Sequence, residues 1–223
     1  MAERQTNRLS TPRAAAVAGV LFAVLFGTAL VLIRLALPEG EQPGAQWLTA
    51  GSTNLQIAAT IMPFAGIAFL WFMGVVRDGL GRYEDKFFST VFIGSGLLFL
   101  AMMFVAAGVG AGLERSHAAG DPDVATFGQM MLLAVSKTYA LRMAAVFMIS
   151  LATIWLKTGL MPRWLVALTY LAAVGLLVTS DITMWLTLAF PIWVLVVSVL
   201  LLARARVTAD VEQGSPTTPA DPG

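Results

Sequence analysis

An all-α, polytopic membrane protein built as a bundle of six transmembrane helices is predicted by three features of the sequence. Hydrophobic residues fill 58% of the 223 positions and charged residues only 12%, whereas soluble domains carry about a quarter of charged residues. Six apolar runs, at 14–37, 55–76, 87–112, 126–156, 164–179 and 182–203, are separated by short polar segments. Those segments alternate in charge along the chain. Lipid offers the backbone no hydrogen-bond partner, so each run is expected to be a helix and no sheet is expected. Residues 1–13 form an N-terminal tail, 14–204 the transmembrane domain, and 205–223 a polar C-terminal tail expected to be disordered.

The first run follows a basic head, Arg4, Arg8 and Arg13. It exceeds the roughly 7 to 15 residues of a signal-peptide core and is read as a membrane span. Arg34 lies within a turn of its outer end, where it can snorkel to the surface. Ala15, Gly19, Ala23 and Gly27 recur every fourth residue and offer a face for close helix packing. The loop 38–54 carries Glu39 and Glu41 and suits Trp47 to the lipid boundary, with Ser52, Thr53 or Asn54 as cap of the next helix. In the second span Pro63 withholds an N–H from the carbonyl of Ala59 and predicts a kink.

The connection 77–86 is charged, and its Gly79 and Gly81 lack the third glycine, preceding strand or lysine of a nucleotide-binding loop. Glu84 and Asp85 suit the positive first turn of the third span. Gly108 and Gly112 near its end repeat the close-packing spacing. The outer loop 114–125 contains Glu114, Asp121, Asp123, Arg115 and the sole histidine, His117, a set without the number or spacing of metal ligands.

The fourth run is the longest and contains Lys137, Tyr139 and Arg142. With Trp155 as inner anchor, a core of about 20 residues begins at Ser136. Lys137 then stands at the outer boundary and Arg142 about 9 Å below Ser136. Residues 126–135 extend the helix outward or lie along the interface. The fifth span is short, Ser180 and Asp181 make a tight link with Asp181 as cap, and Pro191 frees the carbonyl of Thr187 within the sixth.

The runs PFAGIAFLWFMGVVRD at 63–78, EDKFFSTVFIGSGLLFLAMMF at 84–104 and YALRMAAVFMIS at 139–150, with Pro162, Arg163 and Trp164 opening the fifth span, carry a likeness that extends over roughly two thirds of the chain. They resemble a group of uncharacterised actinobacterial multi-pass integral membrane proteins of no known activity. The resemblance implies a bacterial cytoplasmic (inner) membrane location and attaches no reaction or ligand.

Charge orients the bundle. Arg4, Arg8, Arg13, Arg77, Arg82, Lys86, Lys157, Arg163, Arg204 and Arg206 fall in the segments on the side of the termini, and the loops on the other side hold only Arg115. By the positive-inside rule both termini are cytoplasmic. A net charge of +1 spread over many segments gives no basis for nucleic-acid binding. The absence of cysteine excludes disulfides, thiol catalysis, iron–sulfur clusters and thiolate zinc sites. All 13 acids lie in loops, tails or helix ends, so carboxylate or histidine catalysis within the bilayer is not expected, and no cofactor or metal is implied.

Three classes of function remain. A non-catalytic membrane component, assembling with other membrane proteins or with copies of itself, needs no polar groups in the spans and stands first. A transporter or channel for a small anionic or apolar solute, using Arg142, is the alternative, and enzymatic action comes last. The candidate intramembrane polar cluster is Arg142, Asp181 and Arg34. An arginine in hydrocarbon needs a partner or a route to water, and the short fifth span draws Asp181 below the outer surface, within reach of Arg142.

Overall fold

The computed structural model describes residues 11–37, 46–80, 86–116, 120–179 and 184–214. Helix α1 (Thr11–Ala36) is followed by α2 (Gln46–Leu80), α3 (Lys86–Arg115), α4 (Pro122–Leu133), a π-helical segment (Ala134–Ala140), α5 (Leu141–Thr158), α6 (Arg163–Thr179), a 3-10 turn (Met184–Leu188) and α7 (Ala189–Gly214). No strand occurs among the described residues. The α4, π and α5 segments follow one another without a break, so the six predicted spans are all helices. Five are long and apolar enough to cross a membrane, and α6 is apolar but shorter.

Several ends differ from those expected. Helix α2 begins at Gln46 instead of Leu55, so Ser52, Thr53 and Asn54 are helical and do not cap it. Backbone hydrogen bonds continue equally well outside the hydrocarbon, and close packing supports this outer turn. A Cβ on Gly51 would stand 2.7 Å from Cβ and 2.8 Å from Cα of Ala36 at the end of α1. Asp121 belongs to a cap and not to a solvated loop. Its Oδ1 accepts from the N–H groups of Asp123 (3.0 Å) and Val124 (3.3 Å), and Pro122 occupies the first turn, where a missing N–H costs least.

Helix α5 stops at Gly159, whose φ of 67° suits a residue without Cβ and whose N–H reaches the Trp155 carbonyl at 2.9 Å. Helix α2 runs on through Pro63. Pro191 is the third residue of α7, which follows directly on the 3-10 turn Met184–Leu188 within the apolar stretch Trp185–Ala203. The first four N–H groups of a helix have no internal partner, so its ring removes nothing there. Helix α7 also continues past the predicted end at Ala203 to Gly214, which makes the start of the expected disordered tail helical. Residues 1–10, Glu39, Glu41, Arg82, Glu84, Asp85, His117, Ser180, Asp181 and residues 215–223 lie outside the described residues, as does the side chain of Trp47.

The helices close into a ring. Helix α1 packs between α2 and α7, α2 against α3, α3 against α5 and the π segment, and α5 against α6, while α6 touches α7 only lightly. Phenylalanines fill the middle. Phe69 of α2 lies 4.6 Å from Phe22, 5.6 Å from Phe99, 5.3 Å from Phe147 and 5.9 Å from Phe190, measured between ring centroids. Phe92 stacks on Phe147 at 4.5 Å, and Trp193 joins Phe190 at 6.0 Å. Helices α1, α2, α3, α5 and α7 all contribute rings, and each of these phenylalanines is buried.

Helices in lipid associate through packing because burial from water supplies no drive between them. Aromatic pairs add about 0.5–1.5 kcal/mol each beyond area. Interlocked rings therefore hold this bundle. Helix α6 contributes none to the cluster. It is fastened by two polar ties: Thr153 and Tyr170 hydroxyls meet at 2.7 Å across α5 and α6, and Trp193 Nε1 of α7 donates to Thr169 Oγ1 at 3.0 Å.

Only part of the small-residue pattern packs as expected. A Cβ on Gly19 would collide with Ser198 Oγ and lie 2.8 Å from the Phe72 ring, so α1 needs this glycine between α2 and α7. Gly27 has open space around it. Gly108 and Gly112 are open as well, and Gly110 is the residue turned toward its neighbours, with Leu132 and Leu55 at 3.4 and 3.6 Å from a Cβ. Helical period decides this: 108 and 112 share one face of α3, and the bundle meets the other.

Candidate functional site

The long α4–α5 helix sets the basic residues. A π turn bonds each N–H to the carbonyl five residues back and so takes in an extra residue, which is common at functional positions. Here it spans Ala134–Ala140, and it is not legible in the sequence because its composition matches the rest of the run. Lys137 lies within it and Arg142 directly after it as the second residue of α5, both half-buried. Tyr139 is 58% exposed, facing where lipid would be. Ser136 is buried, its hydroxyl returned to the Leu132 carbonyl at 2.6 Å.

Arg34 departs from the expected snorkelling. It is 8% exposed. Its Nη1 donates to the Leu37 carbonyl at 3.4 Å, and its guanidinium carbon lies 5.3 Å from the centroid of the Trp185 ring. The arginine thus neutralises the carbonyl end of its own helix and joins α1 to the turn before α7, a cation–π contact that strengthens as water is excluded. Asp181, the proposed acid of the cluster, lies outside the described residues. The structure therefore places Arg34 with Trp185 and Arg142 beside the π segment.

Buried hydroxyls are spoken for. Ser95, Ser150 and Ser198 return to carbonyls of their own helices at 2.6, 2.8 and 2.7 Å, and Thr169 accepts from Trp193. Such back-bonded hydroxyls are not poised as nucleophiles. Among the described residues no three His, Cys, Asp or Glu side chains gather in a way that could hold a metal.

Clefts open on the outside of the bundle among the described residues. One, of about 790 Å³, lies between α1 and α2 and is walled by apolar side chains including Leu21, Leu25, Phe64 and Trp71. Another, of about 350 Å³, lies between α2 and α3 and mixes Gln56, Thr60, Glu114 and Arg115 with Pro63, Phe104 and Gly108. The sequence reading missed this second cleft because it placed Glu114 and Arg115 in a loop. They form the last turn of α3. Pro63 was the available signal, since the cleft opens where its ring denies a donor to the Ala59 carbonyl. Comparison with protein-family models, curated proteins and solved structures finds no match.

Proposed function

We propose that this integral membrane protein is a non-catalytic component of a membrane assembly, working by association with other membrane proteins or with its own copies. The observation that carries this reading is the ring of helices filled at its centre by Phe22, Phe69, Phe99, Phe147 and Phe190. A solute path needs polar or wet groups along the axis, and the buried hydroxyls of Ser95, Ser136, Ser150 and Ser198 are bonded to their own helices. What the molecule offers to others is its outer surface.

We place it in a bacterial cytoplasmic membrane with both termini cytoplasmic. Support comes from Arg77 ending α2, Lys86 opening α3, Lys157 near the end of α5 and Arg163 opening α6, against Arg115 at the opposite end of α3. A reporter fused after Gly223 is expected to be active only in its cytoplasmic form, and activity of a periplasmic form would reverse the topology.

A second reading, passage of a small anionic or apolar solute past Arg142, is favoured by the π segment beside two half-buried cations. One pair of measurements separates the two. In the assembly reading, the protein extracted in mild detergent runs on native gels with a partner or copy of itself at fixed stoichiometry, and proteoliposomes show no anion flux above empty vesicles. Flux abolished by Arg142→Gln would overturn it in favour of transport.

A further inference from the structure

We infer that the cleft between α2 and α3 is a binding site for one membrane lipid, a glycerophospholipid whose zwitterionic headgroup carries a primary amine. The argument rests on how the cleft's chemistry is layered. Lys86 and Arg115 stand at the two ends of α3, 29 steps apart, which is about 43 Å at 1.5 Å per residue and matches a bilayer with its headgroups. Glu114 and Arg115 therefore belong to a headgroup layer, the outer one in the topology proposed above. On α2, a hydrocarbon layer about 30 Å thick measured from Arg77 takes about 20 residues and ends beside Gln56. Gln56 then lies at the depth of glycerol and ester groups, Thr60 lies one turn below with its hydroxyl returned to the Gln56 carbonyl at 2.9 Å, and Pro63 and Phe104 lie within the acyl region.

The cleft thus carries opposite charges at its mouth, neutral hydrogen-bonding groups at its waist and apolar walls below. This is the order of groups along a phospholipid. Glu114 suits an ammonium and Arg115 a phosphate, and each lines the cleft without an ion pair among the described residues. The Gln56 amide suits an ester carbonyl. A primary ammonium donates hydrogen bonds to a carboxylate, which a quaternary one does not, and this selects the amine. Gly108 keeps the channel open: a Cβ there would meet nothing within 4 Å. Pro63, which has no N–H, adds to the opening by leaving the Ala59 carbonyl without its usual helical donor.

The test uses the full chain in detergent, titrated with phosphatidylethanolamine, phosphatidylcholine and phosphatidylglycerol of identical chains and read by native mass spectrometry. The ethanolamine lipid is expected to be retained about fivefold over the other two, the effect of one partly exposed ion pair. Glu114→Gln should level ethanolamine with choline, and Arg115→Gln should weaken all three. Gly108→Leu, which fills the channel from a position with free space around it, should remove the adduct with the helical circular dichroism unchanged. Soluble phosphoethanolamine should leave the adduct in place. Equal retention of the three lipids by the wild type, a preference that survives both Glu114→Gln and Gly108→Leu, or displacement by the soluble headgroup would each overturn the proposal.

Discussion

Gly19 and Gly27 share a sequence pattern and separate in the structure. At Gly19 a methyl group would strike Ser198 and Phe72, both on neighbouring helices, whereas at Gly27 it would meet nothing within 4 Å. Gly19→Ala is therefore expected to destabilise by about 1–3 kcal/mol, the usual result of overpacking. Gly27→Ala should leave stability unchanged or raise it by up to about 1 kcal/mol through helix propensity. Thermal unfolding of the two variants in the same detergent checks the contrast, and equal losses would contradict it. The basic residues teach a similar lesson. That Arg34 and Arg142 needed an explanation was legible from their cost in hydrocarbon, but where Arg34 turns was not. Its partner ring, Trp185, lies in the segment before α7, and nothing local to either residue signals the meeting.

Elements were legible wherever an apolar run defined them. All six apolar runs are helical, five of them long and apolar enough to cross a membrane, because hydrocarbon demands long apolar helices. Ends were less legible, since hydropathy marks the edge of the lipid and a helix can continue past it, as α2 does before Leu55 and α7 after Ala203. The π segment was invisible for another reason: an extra residue in a turn alters register without altering composition. The two prolines show how position within an element decides effect. Pro63 interrupts the interior of α2, so Pro63→Ala restores a donor to Ala59 and should stabilise by about 1–3 kcal/mol. Pro191 occupies the first turn of α7, so Pro191→Ala should change stability by less than about 0.5 kcal/mol. Chemical denaturation of the purified variants measures both, and a larger effect at Pro191 than at Pro63 would refute the assignment.

The bundle as a whole depends on its aromatic centre. Phe69 meets rings from α1, α3, α5 and α7, so Phe69→Ala should cost about 3–5 kcal/mol and lower the unfolding temperature more than any single change on the outer surface. Phe64→Ala on the same helix, 59% exposed, is the control and should have little effect. The same architecture has a mechanical side. Helix α6 has 17 residues, about 26 Å of rise, where the hydrocarbon is about 30 Å thick, and it turns Leu168, Leu171 and Val178 outward. Helix α2 on the far side of the ring has residues to spare. The molecule is an inclusion of unequal height in an elastic sheet, and the lipid leaflets have to pinch along one flank only. Copies that turn their short flanks together share one dimple and relieve the strain, so energy transfer between labelled copies should rise as the acyl chains of the host vesicles lengthen from 14 to 22 carbons. Transfer that stays level across that series would mean the flank is matched by tilt, and that the surrounding membrane exerts no lateral force on this protein.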